Sequence, residues 1–222
     1  MRYLTVIVIF QLCACVNIEY KEYVDPSKKA QEIVNNYHLD YKKVNCYDST
    51  TDCYSLINEL SQLLLSHPNN EVVLTLHAHI LYKSGSFERA LQSLDKVVQG
   101  YKPNRMALSL AVEINTITGN LSRAKKLGVI ASNLYATAPD VYMQLAAIDF
   151  ASGNYQGAIS NLNFAKHFGT PLPIYYFNLG LVYEKQTDFI QACHYYNRTL
   201  ERQPHSQPAA NKLAKLTVNR NC

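Results

Sequence analysis

Clustered positive charge is missing from this sequence of 222 residues. Its 21 Lys and Arg residues only slightly outnumber its 17 Asp and Glu residues, and they form no run of four. Nucleic-acid binding needs clustered Lys and Arg to displace the counterions around phosphates. We therefore expect no nucleic-acid partner. The apolar share of 48% is high enough for a folded domain with a substantial core.

Familiar catalytic and metal-binding motifs are also missing. The sequence has no Gly-x-Ser-x-Gly, no His-Glu-x-x-His and no glycine-rich phosphate loop. No two cysteines have the Cys-x-x-Cys spacing of a zinc or redox site. His77 and His79 come closest to a metal pair, but residues two apart on a helix point about 200° away from each other. We therefore expect a protein that is not an enzyme and holds neither a cofactor nor a metal ion.

The first apolar stretch, Leu4 to Leu12, is too short to cross a membrane. Nine helical residues rise only about 13 Å, whereas the hydrocarbon core of a bilayer is about 30 Å thick. The stretch follows Met1 and Arg2, and a positive start before a short apolar run is typical of a secretory signal peptide. The alternative is a short buried helix or strand at the start of the fold.

The residues after this stretch predict a lipid anchor. Leu12-Cys13-Ala14-Cys15 resembles the bacterial lipobox, in which the final Cys is lipidated and becomes the first residue of the mature protein. We therefore predict a signal peptide at 1–14 and a tether at 15–26 that is lipidated at Cys15. Asn17 replaces the Asp that is associated with retention in the inner membrane. The expected location is the cell envelope, at the periplasmic face of the outer membrane.

Four cysteines remain after the predicted lipobox: Cys46, Cys53, Cys193 and Cys222. An even number suits an oxidising compartment, in which disulfides form. We predict a local bridge from Cys46 to Cys53, which would pin an irregular segment. A second bridge from Cys193 to Cys222 would lock a terminal helix. The alternative is four reduced thiols, two of them simply buried.

An internal repeat of 34 residues runs through most of the chain. The repeat carries an Ala column, with an apolar residue three positions before each Ala and Gly or Thr five positions before it. The Ala column is Ala90, Ala124, Ala158 and Ala192, the apolar column is Phe87, Leu121, Tyr155 and Phe189, and the third column is Gly85, Gly119, Gly153 and Thr187. Three columns with one period indicate a stack of equivalent structural units.

These residues resemble the tetratricopeptide repeat family, and the fourth copy carries the resemblance best. That copy matches the seven family columns with Tyr176, Leu179, Gly180, Tyr183, Ala192, Tyr196 and Pro204. The second copy departs most from the family, because Val112 stands where a small residue is expected, Asn115 replaces the Tyr and Gly128 replaces the second aromatic residue. We therefore expect looser packing in the second copy.

The resemblance implies an all-α, right-handed superhelical solenoid of helix pairs. The four clear copies are 71–104, 105–138, 139–172 and 173–206. At the N-terminal side, 27–70 reads as a degenerate repeat, with helices expected at 28–37 and 54–66 from their apolar spacing. At the other end, 207–222 reads as a capping helix and tail.

A solenoid of this family offers a concave groove lined by the first helix of each pair, and the resemblance implies that a protein partner binds there. The expected groove is apolar and aromatic with scattered charges, and an exposed apolar patch usually marks a contact surface. Its expected partner-binding residues are His79, Tyr82, Lys83, Met106, Glu113, Met143, Phe150, Phe177, Leu181 and Glu184.

The order of parts, a lipobox, a short tether and about five repeats, resembles the repeat lipoproteins of Flp (Tad-type) pilus assembly. The function predicted from this resemblance is a membrane-anchored periplasmic scaffold that assists assembly of a pilus or secretion system. One alternative is a type IV pilotin or an adaptor for cell-wall enzymes. An enzyme or sugar-binding protein that uses the groove is an alternative of another class, but it would need convergent acid and base residues that the sequence does not show.

Overall fold

The computed structural model describes residues 24–37, 46, 52–218 and 222. These residues form eleven α-helices and no strand, so the predicted all-α class is confirmed. The predicted signal peptide at 1–14 and Cys15 lie outside the described residues. None of the described helices is both long enough and apolar enough to cross a membrane.

The helices are α1 Pro26–Asn36, α2 Cys53–Ser66, α3 Glu71–Lys83, α4 Phe87–Val98, α5 Arg105–Ile117, α6 Leu121–Leu134, α7 Pro139–Ala151, α8 Tyr155–His167, α9 Leu172–Lys185, α10 Phe189–Arg202 and α11 Gln207–Val218. The helices from α3 to α10 form four consecutive pairs, each joined by a short turn. Each helix packs on the next one along the chain, and α3 also packs on α5, and α5 on α7. The helices α3, α5 and α7 therefore lie side by side as an inner row.

The turns inside the four pairs repeat one backbone conformation. Gly85, Gly119 and Gly153 have φ of 76°, 79° and 75°, and Thr187 has φ of 62° at the equivalent position. A left-handed residue just after a helix lets the chain turn back and satisfy the last carbonyl groups. Side chains at the next position then cap the second helices: Asn120, Asn154 and Asp188 each accept a hydrogen bond from the backbone N–H three residues on.

Thr187 is the strained member of this set, because a β-branched side chain crowds the backbone at positive φ. We expect Thr187→Gly to raise the free energy of unfolding by about 0.5 to 1 kcal/mol, since relief of the clash outweighs the entropy cost of glycine. Gly153→Ala is the matched control and should destabilise the protein. Chemical denaturation measures both, and a Thr187→Gly variant less stable than the parent would contradict this account of the turn.

The Ala column lies at the closest approach between helices. Ala90, Ala124, Ala158 and Ala192 are all fully buried. Each lies in the first turn of the second helix of its pair, where a larger side chain would push that helix away from its neighbours. A small side chain is therefore required at this position once in every helix pair.

The second pair, α5 with α6, packs less extensively than the other three pairs, as predicted from the sequence, but the space at Gly128 is filled. A Cβ built on Gly128 would lie 2.8 Å from Cδ2 of Leu145 and 3.5 Å from Cδ1 of Ile148. These two side chains of α7 fill the space that the missing aromatic residue would leave, and Val112 is itself fully buried on α5. Leu145 and Ile148 of α7 therefore compensate for the small residue at position 128.

Two disulfides tie Cys46 and Cys222 to helices at the two ends of the described chain. Cys46 pairs with Cys53 at the start of α2, with their Cα atoms 5.7 Å apart. Cys193 in the first turn of α10 pairs with Cys222, with a Cα separation of 5.9 Å. Both pairs are those considered from the sequence. The Cys193–Cys222 disulfide therefore links Cys222 to α10, the helix on which α11 packs.

A buried histidine links three helices near the N-terminal end. His77 on α3 lies between Ser61 of α2 and Ser93 of α4, with its Nε2 and Nδ1 atoms each 3.0 Å from a serine Oγ. The Ser61 hydroxyl donates its proton to the carbonyl of Ile57, 2.6 Å away. Ser61 Oγ must therefore accept from Nε2–H, which leaves Nδ1 to accept from Ser93. The neutral ring satisfies every group in this chain of hydrogen bonds.

Candidate functional site

The inner row of helices presents a series of concavities on one face of the solenoid. The first is about 460 Å³ in volume and lies between α3, α5 and α7. The second, of about 330 Å³, lies between α5 and α7. The third, of about 90 Å³, lies between α7 and α9. Shared lining residues join them into one continuous surface: Glu113 lines the first and second, and Met143 the second and third.

The first concavity is the polar part of this surface. Arg105 Nη1 lies 3.4 Å from Oδ1 of Asp140, so the two side chains form an ion pair between α5 and α7. The Tyr82 hydroxyl donates to Oε1 of Glu113 over 2.6 Å and links α3 to α5. Both interactions are exposed to water, so each contributes little to stability. Their effect is to hold charged groups in fixed positions facing the groove.

The second concavity is mainly apolar. Val112, Ile117, Met143 and Ala147 line it, together with Glu113, Thr116 and Gln144. Ile117 is 57% exposed and Met106, which lines the first concavity, is 38% exposed. Large apolar side chains that share an exposed concave face are typical of a surface that contacts another molecule.

Gln144 fixes the spacing of the helices on either side of the second concavity. Its Nε2 group donates to the backbone carbonyl of Ser109 over 2.9 Å and to the Ser109 hydroxyl over 2.7 Å. These hydrogen bonds run between α7 and α5, so they connect two inner helices directly. The concavity is therefore bounded by side chains that already have partners and is largely preformed.

The third concavity is narrow, and most of its lining side chains are buried or half-buried. Phe150 and Leu181 line it on either side, and Asn178 is its polar member. Phe177 lies further along, where its ring packs on Tyr196 with centroids 5.8 Å apart. It also lines a separate C-terminal concavity of about 370 Å³ between α9, α10 and the start of α11.

Of the ten residues expected in the groove, six line its three concavities, and Tyr82, Lys83 and Phe177 lie outside these concavities on the first helices of their pairs. His79, Met106 and Glu113 line the first concavity, and Met143, Phe150 and Leu181 the later ones. Tyr82 contacts Glu113, and the Lys83 ammonium lies 5.6 Å from the centre of the Tyr82 ring. Phe177 lines the C-terminal concavity.

Glu184 is the tenth of these residues, and the structure places it among the C-terminal helices. Its carboxylate accepts a hydrogen bond from the Tyr196 hydroxyl of α10 and one from Lys212 Nζ of α11, the latter over 3.0 Å. Burial opposes ionisation of this carboxyl group, but the two hydrogen bonds outweigh burial and hold its pKa below the ordinary value. Glu184 thus joins α9 to the terminal helices rather than facing a partner.

Arg105 and Asn178 line the groove but were not singled out from the sequence. Arg105 lies 35 residues before Asp140, one more than the repeat period, so opposite charges come to the same level on adjacent inner helices. The spacing of Arg105 and Asp140 in the sequence could therefore have predicted this ion pair. Asn178 has no such charged partner, and its Nδ2 group bonds the carbonyl of Ile174 one turn back.

The His, Cys, Asp and Glu side chains of the described residues are spread through the fold rather than gathered at one point. No three His, Cys, Asp or Glu side chains come together there in a group that could hold a metal ion. The buried carboxylate of Asp149 is bonded to Lys125 Nζ at 2.6 Å and to Asn161 Nδ2 at 2.7 Å, so it serves to join α7 to α6 and α8.

Comparison with known proteins agrees with this architecture. A family model described as tetratricopeptide repeat matches residues 173–206, which contain α9 and α10. A search of curated protein sequences finds no match. A protein of Thermus thermophilus, described as a thermophilic TPR protein, superimposes with a TM-score of 0.65 at 15% identity, over 87% of this chain and 100% of that one. The fold is a tetratricopeptide repeat solenoid.

Two further solved structures share the tetratricopeptide repeat fold. MamA from Desulfovibrio magneticus RS-1 gives a TM-score of 0.67 at 14% identity, over 83% of this chain and 98% of that one. PilF from Pseudomonas aeruginosa gives 0.57 at 18% identity, over 71% of this chain and 72% of that one. At these identities the likeness concerns the fold of the solenoid alone, so the specific partner must be argued from this chain.

Proposed function

We propose that this protein is a scaffold that holds a partner protein in its concave groove during assembly of a pilus or secretion system at the cell envelope. The observation that carries the binding part is the continuous, preformed and partly apolar surface along α3, α5 and α7. The assembly part is supported by the order of sequence features, a lipobox, a tether and repeats. Partner contacts are expected to concentrate on a few large side chains.

Met143 gives the sharpest test of the groove, because it lines two adjacent concavities. Met143→Glu should weaken partner binding by at least about tenfold, since it places an unpaired charge in an apolar contact. The measurement is quantitative mass spectrometry of envelope proteins that copurify with the full chain, compared with the parent protein.

Val129→Glu is the matched control for that substitution. Val129 is 43% exposed on α6 and lines none of the concavities described above. Proteins lost with Met143→Glu but retained with Val129→Glu are the groove partners. Equal losses with both variants would contradict binding in the groove. Groove partners that include no pilus or secretion component would contradict the assembly role while leaving the groove intact.

The lipid anchor is a separate part of the proposal. Cys15→Ser should release the protein into the soluble periplasmic fraction, because the lipobox Cys is the proposed site of acylation. Cell fractionation and the mass of the mature protein measure this. A Cys15→Ser protein that still sediments with membranes and keeps the parent's mature mass, apart from the substitution, would contradict lipidation at this residue.

A further inference from the structure

The terminal helix α11 is held to the rest of the solenoid by few noncovalent contacts. It packs on α10 and buries only Ala209 and Leu216, whereas the inner helix α5 buries seven residues. One ion pair, from Lys212 to Glu184 of α9, adds to this contact. A helix of 12 residues is marginally stable on its own in water. Whether α11 stays folded and docked therefore depends strongly on any further link to the rest of the solenoid.

The Cys193–Cys222 disulfide is that further attachment, and its two halves differ in exposure. Cys193 is 7% exposed and lies in a cluster with Ala192, Tyr196 and Leu216. Cys222 follows α11 closely and is exposed. A thiolate in solution can therefore approach the sulfur of Cys222 while the sulfur of Cys193 stays covered.

The other disulfide lacks this asymmetry. Cys53 is buried at the start of α2 and Cys46 is half-buried. Cys46 packs against the N-terminal core, and its Sγ lies 3.9 Å from the carbonyl oxygen of Ile80 on α3. Both sulfurs thus belong to a larger and better-packed part of the solenoid, in which α2, α3 and α4 are joined.

We propose that the Cys193–Cys222 disulfide is a redox latch that controls the docking of α11, while Cys46–Cys53 is a permanent staple. The reductant is a dithiol. One of its thiolates attacks Cys222 Sγ and forms a mixed disulfide, and Cys193 leaves as a thiolate that takes up a proton. The second thiol of the reductant then displaces Cys222 as a thiol, so that two electrons pass to the protein and the dithiol becomes a disulfide.

Release of α11 would change the C-terminal end of the groove face. Gln207 and Pro208, at the start of α11, form part of the wall of the C-terminal concavity. Tyr196, Phe177 and Leu181 pack in the same cluster as Leu216 and Leu213 of α11. Undocking would remove the wall and uncover these side chains. The oxidation state of Cys193 and Cys222 would thereby determine how much apolar surface is exposed at the C-terminal end of the solenoid. This effect does not depend on which partner binds the groove.

Hydrogen exchange on the full chain, with and without dithiothreitol, tests the latch. Mass measurement after alkylation counts the free thiols in each state. Reduction of Cys193–Cys222 should accelerate exchange across 207–218 by about 100-fold, in line with the loop-closure effect of a disulfide, while α5 and α7 stay protected. Cys193→Ser with Cys222→Ser should show the fast pattern in both conditions. Cys46→Ser with Cys53→Ser should retain the redox response of α11.

Three results would overturn the proposal. Protection of α11 that stays unchanged once Cys193 and Cys222 are free thiols would show that noncovalent packing alone holds the helix. Reduction of Cys46–Cys53 ahead of Cys193–Cys222 would reverse the assigned roles of the two disulfides. Equal acceleration of exchange in every helix would show that the bond stabilises the whole solenoid and acts on no local element.

Discussion

Gly180→Ala should lower the free energy of unfolding by about 3 kcal/mol, the upper end of the usual range for overpacking. A Cβ at this position of α9 would lie 2.5 Å from Cε1 and 2.7 Å from Cδ1 of Tyr196. The ring cannot move aside easily, because Tyr196 is fully buried and its hydroxyl donates to Glu184. Burial also raises the pKa of Tyr196, so the phenol remains protonated and keeps this hydrogen bond.

A second substitution provides the control. Ala146 and Leu162 occupy the equivalent positions of the preceding pair and lie in one buried cluster. Gly180→Ala combined with Tyr196→Leu recreates that combination, so the double variant should lose less stability than the two single losses added together. Urea denaturation of the four proteins gives the coupling energy. Additive losses would mean that the methyl group at 180 and the ring of Tyr196 do not collide.

Acidification should destabilise the protein through His77, by about 2 kcal/mol between pH 6.5 and pH 4. Burial lowers the pKa of His77 from 6.5 to about 4, and the nearby charge of Arg89 acts in the same direction. Below pH 6.5 the unfolded chain takes up a proton at this residue while the folded chain does not. Stability is therefore lost as the pH falls through this window and levels off below it. One pKa unit is equivalent to about 1.4 kcal/mol, and the loss over this window is smaller than the full equivalent of the shift because the folded ring is itself half-protonated near pH 4.

Comparison with His77→Gln isolates this contribution, because the carboxylates titrate in both proteins. The difference in unfolding free energy between parent and variant should shrink by about 2 kcal/mol from pH 7 to pH 4. His167→Gln, at an exposed position on α8, should keep the parent's pH profile. A parent and His77→Gln with parallel profiles would show that the Ser61–His77–Ser93 chain does not hold the ring neutral.

The 34-residue repeat, together with its resemblance to the tetratricopeptide repeat family, was enough to predict the fold from the sequence. The Ala column requires close helix approach once per pair, and the Gly column requires positive φ at each turn, so both constraints recur every 34 residues. Thr187 fits the same column although nothing in its own chemistry favours that conformation. A constraint that repeats can be recognised even where one copy departs from it.

The sequence could not reveal how large and small residues compensate across neighbouring helices. Gly128 on α6 looked like a packing defect, but Leu145 of the next repeat occupies the space above it. Gly180 faces the larger ring of Tyr196, whereas Ala146 accompanies the smaller Leu162. Compensation of this kind depends on which side chains contact each other in the folded protein. One column of the repeat does not show which residues of neighbouring helices it contacts.

The candidate groove was predictable in position but less so in detail. The register placed His79, Met106 and Met143 on the inner helices because the first helix of each pair faces inward. The hydrogen bonds of Glu184 were not predicted, because its partners come from α10 and from Lys212 of the terminal helix. The helix α9 belongs to the last pair, whose next neighbour is the capping helix α11. The last turn of α9 therefore has neighbours that the internal repeats do not have.

Site-specific photo-crosslinking in cells tests most directly whether the concave groove holds a partner protein. A photoreactive residue is introduced at Ile117, exposed beside the second concavity, or at Val129 on α6. A groove-binding scaffold predicts a discrete protein adduct from position 117, lost with Met143→Glu, and none from position 129. The same adduct from both positions, or one from position 129 alone, would contradict the account.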